Sequence, residues 1–291
     1  GTLSSQVRWN SQPLNSWANK FARGKFIELD GHQTHYIEKG EGDPMILIHG
    51  FFYDTHLWDN NIDQLAKKYK VYAMDLWGFG YSSRENLDFG YPLYTRQLRL
   101  FMDALKIKRA TLIGQSMGGG TIVKFAISTS ERVDKVVLVD PAILPNKLPI
   151  MGKIANLPIV GELLFGANIN YPRKMTLGNT FIHNKKHITA EYFEKVTRFQ
   201  KIENSTEILL AILRKQFFHT LGDEVSQLGK IELPKLIVAG RQSAGIPTRL
   251  SEKVHQILKG SQLEILDDAG HCPNDEQSEK FNELVLAFLA S

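Results

Sequence analysis

Three short stretches of this chain carry residue types that could do chemistry. The first is Gly114-Gln115-Ser116-Met117-Gly118. An apolar run, Ala110-Thr111-Leu112-Ile113, enters it and an apolar helical pattern follows, the strand–turn–helix setting in which a serine hydroxyl is presented as a nucleophile. Glycines two residues to either side leave room for neighbouring backbones; without that setting the stretch would be a glycine-rich turn with an incidental serine. The second is His49-Gly50-Phe51-Phe52, after the apolar run Met45–Ile48. Its Phe51 N–H, with the Met117 N–H after the serine, would make two fixed donors for a developing oxyanion, each worth roughly 3 kcal/mol in such sites. His49, at a strand end, reads as a structural, hydrogen-bonded histidine. The third is Gly270-His271, after the last apolar run and before the final helix. A neutral imidazole there could take the serine proton and return it to a leaving group near pH 7.

These groups need rigid elements to hold them. Short apolar runs alternate with helical patterns, which predicts an α/β fold with a mostly parallel sheet covered by helices. Phe26–Leu29 and His35–Glu38 flank Asp30-Gly31 and read as a hairpin. Buried strands are expected at 45–49, 71–75, 110–114, 136–140, 236–240 and 263–266. Helices are expected near 58–69, 93–105, 117–128, 250–258 and 276–289. From Pro141 to about Leu228 no buried strand is evident, and the pattern becomes amphipathic, as in 191–200 and 205–221. Asn204 with Glu207 has the spacing of a capping box at the start of the latter. The expected organisation is an N-terminal extension over 1–24, a core over 25–142 and 229–291, and a helical cap over 143–228. Within the extension, Leu14, Trp17, Ala18 and Phe21 follow helical spacing. This helix is expected to pack on its own domain, with peripheral membrane contact as the alternative.

Composition narrows the partners. The 291 residues are 43% hydrophobic and 23% charged, ordinary for a globular protein, and 35 basic against 31 acidic residues give +4. No basic stripe interleaved with aromatics points to nucleic acid. The single cysteine, Cys272, excludes an intramolecular disulfide and a cysteine-built zinc site. No paired-histidine motif points to a metal, and no cofactor is expected. Among the other histidines, His183, His187, His219 and His255 read as solvated or packed. No apolar run is long enough to span a bilayer, so a cytoplasmic location is the expectation. The opening on Gly1 rather than Met suggests a trimmed chain, from which a leader or anchor could have been removed. Nothing in the sequence fixes an oligomeric state.

Taken together, His49-Gly50-Phe51, Asp75-Leu76-Trp77-Gly78-Phe79-Gly80-Tyr81-Ser82, the Ser116 turn and Gly270-His271 resemble the capped α/β-hydrolase family from about Phe26 to the C-terminus. The resemblance implies an eight-stranded sheet, a Ser–His–acid triad and no cofactor. Asp75 would be a loop-structuring carboxylate. In most members the acid follows the seventh strand, where this chain reads Gly240-Arg241-Gln242-Ser243. Ser243 at that position marks either an altered enzyme or a relocated acid. Asp140, ending the sixth strand 24 residues after Ser116, is the first choice, because some relatives, the haloalkane dehalogenase branch included, place their acid there. Asp267, Asp268, Asp275 or an acid-free dyad are the alternatives. A serine nucleophile implies acyl transfer, so the expected activity is hydrolysis of small to medium apolar carboxylic esters, with Phe51-Phe52-Tyr53 and the 143–165 stretch lining the pocket. The runner-up is carbon–carbon hydrolysis of vinylogous diketones, which the shared Ser-Met-Gly-Gly run favours. Cys272, where such enzymes carry tryptophan, disfavours it. A perhydrolase side activity and a non-catalytic binding protein of this fold complete the set.

Overall fold

Alternation of β-branched, fully buried runs with amphipathic segments produces one eight-stranded sheet in the computed structural model, which describes residues 3–291. Gly1 and Thr2, the start of the expected extension, lie outside the described residues. The strands are β1 (Lys25–Leu29), β2 (His32–Lys39), β3 (Asp43–Ile48), β4 (Tyr69–Met74), β5 (Ala110–Gln115), β6 (Val133–Val139), β7 (Lys235–Gly240) and β8 (Ser261–Leu266), in spatial order β1-β2-β4-β3-β5-β6-β7-β8. Among the described strands β2 alone runs against the others, pairing antiparallel with both β1 and β4. β1 and β2 are joined through Asp30 and Gly31, both at positive φ (54° and 79°), the conformation a two-residue hairpin turn demands. From β4 to β8 the pairing is parallel, and the central strands β3 and β5 are almost wholly buried because helices cover both faces.

In chain order the helices are α1 (Leu14–Phe21), the one-turn α2 (Ile62–Leu65), α3 (Tyr91–Ala104) and α4 (Met117–Ser128). After β6 come α5 (Ile150–Ala155), α6 (Val160–Gly166), α7 (Tyr171–Thr176), α8 (Ala190–Thr197), α9 (Ser205–Lys215) and α10 (Gly222–Leu228), with no strand among the described residues before β7. The core closes with α11 (Thr248–Ile257), α12 (Pro273–Glu276) and α13 (Ser278–Ala290). The helical insert is anchored over the strand ends. Phe181 O accepts from His271 N at 2.7 Å, Thr180 O accepts from Gly245 N at 3.1 Å, and Arg84, itself buried, donates to Phe199 O and Ser205 Oγ.

Three local expectations need correction. The continuous helix expected over 58–69 is instead a 3₁₀ turn at Thr55–Trp58 followed by the four residues of α2. Asn61 interrupts it: its amide is committed to Asn274 O and Asn282 Oδ1, both at 2.8 Å, so tertiary hydrogen bonds override local periodicity. The helix expected over 205–221 ends at Lys215, where Gln216 turns left-handed at φ 47°. The Asn204–Glu207 capping box does not form. Asn204 sits at φ 68° and sends its amide to Arg84 O and Asn86 Oδ1. The cap comes instead from Asn10, whose Oδ1 accepts from Thr206 N while its amide donates to Glu207. The apolar face of α1 is occupied by its own chain: Trp17 is buried, donates to Arg198 O, and packs on Phe21. Among the described residues no helix is long and apolar enough to cross a membrane, and no cluster of three metal-ligating side chains occurs.

Candidate active site

Ser116 lies between β5 and α4 with φ 54° and ψ −115°, a conformation that an L-residue adopts at a cost of order 1–3 kcal/mol. Its neighbours explain why glycine is needed. A Cβ on Gly114 would stand 2.4 Å from Gly118 O, and one on Gly118 would stand 2.3 Å from Ile48 O. Likewise, a Cβ on Gly50 would press on Ser116 Cβ at 2.9 Å, so the loop after β3 passes against the serine itself. The Phe51 N–H follows Gly50 in that loop, and the Met117 N–H, the first of α4, is left over by helix geometry. Among the described residues neither N–H has an acceptor within the chain.

The loop after β8 carries His271, which is 4% exposed. Its backbone is held by Phe181 O, and its carbonyl accepts from Gln115 Nε2 at 2.9 Å. Its Nδ1 lies 2.5 Å from Asp140 Oδ2, at the end of β6. Asp140 is fully buried, at φ 44°, and takes two further donors: Gly240 N to Oδ1 at 3.1 Å and Ser243 Oγ to Oδ2 at 2.6 Å. Burial pushes the Asp140 carboxyl up, while His271, Ser243 and Gly240 pull it down without cancelling the rise. As the Nδ1 proton is the one a carboxylate holds, Nε2 is left with its lone pair toward the pocket.

The structure thus brings Ser116 and His271 into one pocket, sets Asp140 behind the histidine, and keeps the other carboxylates away. Asp267 is exposed and paired with Arg241, and Asp268 is exposed near His183. Asp275 is bound to Tyr192, His187 and Asn60. His49 is a buried structural group, with Nδ1 on Gly50 O and Nε2 accepting from Leu76 N, and burial lowers its basicity. Asp75 braces the loops, accepting from Thr55 N, Tyr81 N and His35 Nδ1. Burial opposes its charge, but His35 and the other donors prevail and hold it well below the usual carboxylate range. Cys272 is buried and its thiol is pushed well up by burial, which leaves it an unreactive packing residue.

Two roles at the site escape sequence reasoning. Ser243 is a donor to the acid, which nothing in its own neighbourhood announces. His219, expected to be merely solvated or packed, lines the pocket at φ 63°, and burial lowers its pKa to about 4, so it is neutral near pH 7. The left-handed residues Phe52, Ser116, Asp140 and His219 all gather here, which is where stored backbone strain usually marks function. The pocket, roughly 100 Å³, is walled by Phe51, Phe52, Phe165, Phe181, Leu209, Leu210, Leu213, Phe218 and Ile246. Among the described lining residues the one lysine or arginine is Lys147, which is exposed, and Asn146, Thr176 and Thr180 add uncharged polar groups.

A family model described as the alpha/beta hydrolase fold matches residues 43–278. The 2-hydroxy-6-oxo-6-phenylhexa-2,4-dienoate hydrolase of Comamonas testosteroni is 30% identical over 281 residues, spanning 93% of this chain and 96% of that protein. Among solved structures, a meta-cleavage product hydrolase from Pseudomonas fluorescens superposes with a TM-score of 0.78 at 26% identity, covering 92% of this chain and 97% of that one. An esterase from Thermogutta terrifontis superposes equally well, TM-score 0.78, at 22% identity, covering 92% and 98%, a likeness of fold alone.

Proposed function

The chain belongs to the alpha/beta hydrolase fold family and is a hydrolase of that fold; on that premise we propose that it cleaves neutral, apolar carboxylic esters through an acyl-enzyme on Ser116. The observation that carries the reading is the pocket itself: a strained serine and a carboxylate-backed histidine share one cavity whose described lining is mainly aromatic and aliphatic, Lys147 being its one exposed cation. A substrate buried there would have to be uncharged where it is buried, because a desolvated anion without a partner is costly.

On this reading the steps are those of a serine nucleophile with a carboxylate-backed imidazole. Ser116 Oγ attacks the ester carbonyl as His271 Nε2 takes its proton, and Asp140 stabilises the imidazolium through Nδ1. The Phe51 and Met117 N–H groups receive the negative oxygen. Collapse of the tetrahedral adduct breaks the C–O bond, His271 returns the proton to the departing alcohol, and water, deprotonated by the same imidazole, releases the acid. The helices between β6 and β7 act as the cap that encloses the acyl chain.

Carbon–carbon hydrolysis is the second reading, favoured by the 30% identity, over nearly the full length of both chains, with a hydrolase whose name specifies a dienoate. A dienoate brings a carboxylate; among the described lining residues Lys147, which is exposed, is the one cation that could pair with it, beside the uncharged polar groups of Asn146, Thr176, Thr180 and His219. The deciding experiment is a series of p-nitrophenyl esters of rising chain length alongside a dienoic diketone acid, with a fluorophosphonate probe for Ser116. Labelling of Ser116 with preferential ester turnover supports the leading reading. Preferential cleavage of the diketone moves the assignment to the second, and absence of Ser116 labelling sinks both.

A further inference from the structure

Large apolar side chains are expensive to leave in water, so where they collect on a surface is informative. Among the described residues eight are strongly exposed, and seven of them fall in one stretch of the helical insert: Ile150, Leu157, Ile159, Val160, Leu163, Ile169 and Tyr171. Ile159 and Ile150 are 71% and 68% exposed, on α6's N-terminal side and at the start of α5. Ile159 is moreover held at φ 70°, a conformation especially unfavourable for a β-branched residue. An exposed isoleucine held there has no folding rationale in its contacts.

The exposed side-chain charges along this stretch are basic, and Glu191 and Glu194 share a neighbouring cleft with Lys174. Lys147, Lys153 and Lys174 are exposed at its margin, while Glu162, the single acidic residue between positions 144 and 176, is engaged by Arg214. The patch is also continuous with the pocket mouth: Leu148, Met151 and Ala155, interleaved with the exposed residues along α5, line the cavity that holds Ser116. An apolar face ringed by lysines and opening directly on an apolar cavity has the chemistry of an interfacial helix seated at an anionic lipid surface.

We propose that α5 and α6 dock the protein on anionic lipid surfaces, with Leu157, Ile159 and Leu163 inserted among the acyl chains and Lys147, Lys153 and Lys174 at the headgroups. The pocket mouth then faces the membrane, and apolar substrate enters from the lipid phase rather than from water. This last consequence rests on the ester reading, whereas docking itself does not.

The test is co-sedimentation of the full chain, and of its Ser116→Ala variant, with phosphatidylglycerol-rich and pure phosphatidylcholine vesicles. Both proteins should bind the anionic vesicles in a salt-sensitive way. I159E/L163E should lose at least tenfold in affinity with an unchanged thermal midpoint. K153Q/K174Q should lose about 25-fold on anionic vesicles, since each lysine near such a surface contributes about fivefold. Absence of binding, binding unaffected by I159E/L163E, or self-association in vesicle-free buffer that I159E/L163E abolishes would each overturn the proposal. The last would assign the patch to a second copy of the chain. Because Ser116→Ala binding is read without turnover, failure of the ester reading leaves this result interpretable.

Discussion

Replacing Asp140 by asparagine isolates what the buried carboxylate does. The side chain is fixed by three groups: Gly240 N on Oδ1, and Ser243 Oγ and His271 Nδ1 on Oδ2. Asparagine is nearly isosteric, and the Gly240 N–H dictates its orientation, because it can pair only with the amide oxygen. The NH₂ must then point at Ser243 and His271. Ser243 adapts by rotating its hydroxyl to accept. His271 adapts by carrying its proton on Nε2, so that Nδ1 accepts from the amide. That tautomer is the wrong one, since it presents Ser116 with a donor where a base is needed. The equivalent change in serine proteases costs about 10⁴ in kcat, or about 5.5 kcal/mol at the barrier. Stability should change little, because the variant removes a buried charge and keeps the shape. The measurement is kcat for p-nitrophenyl butyrate together with the fluorophosphonate labelling rate of Ser116, with thermal unfolding as the fold control. Both rates should fall by three to four orders of magnitude. A folded variant within tenfold of the parent would show that Asp140 is a structural acid and that the histidine works without it.

Other consequences are smaller or concern the scaffold. Ser243→Ala removes a charge-assisted bond worth about 1.5 kcal/mol, so kcat/KM should drop about tenfold. Because that hydroxyl favours the ionised carboxylate, its loss raises the carboxyl further, and the acid limb of the pH–rate profile should move to higher pH; an unmoved limb would exclude the coupling. Gly118→Ala forces a methyl against the Ile48 and His49 carbonyl oxygens, 2.3 and 2.6 Å away, and should destabilise by about 3 kcal/mol in urea titrations. Asn10→Ala uncaps α9 and should cost about 1 kcal/mol, with a fall of 2–4 °C in Tm. His219 is depressed from 6.5 to about 4, so the unfolded chain binds more protons between those values and the folded state gains stability as pH rises through that window. His219→Gln should flatten the rise, as read from urea midpoints at pH 4.5 and 7; an unchanged slope would contradict the assignment.

How much of this was visible in the chain alone depended on sequence distance. The Ser116 turn was legible because its causes are local: a β-type run, two glycines whose side-chain space is already taken, and a helix that starts at once. The hairpin at Asp30-Gly31 was legible for the same reason. Helix limits set by distant partners were not. The break before α2 depends on Asn274 and Asn282, more than 200 residues away, and the cap of α9 on Asn10, 196 residues from Thr206. No periodicity in either segment encodes such bonds. His219 falls inside the helix expected over 205–221 and reads as solvated or packed, whereas the irregular backbone after α9 carries it to the pocket.

The acid is the instructive intermediate case. Asp140 and Ser243 follow neighbouring parallel strands, and β6 pairs with β7 in register, Val139 beside Val238. The ends of both strands therefore flank the same histidine loop. A carboxylate from either could reach Nδ1, which is why a serine at the seventh-strand position does not by itself imply a broken site. What the position after β7 then supplies is a donor: the charge at the end of β6 is fully buried, Gly240 N satisfies Oδ1, and Ser243 Oγ shares Oδ2 with His271, opposing the rise that burial imposes. A carboxylate at 243 would set two negative charges side by side there, whereas a hydroxyl stabilises the one that remains. Ser243 is thus the residue type that a relocated acid requires, and its presence and the position of Asp140 are a single feature of the site.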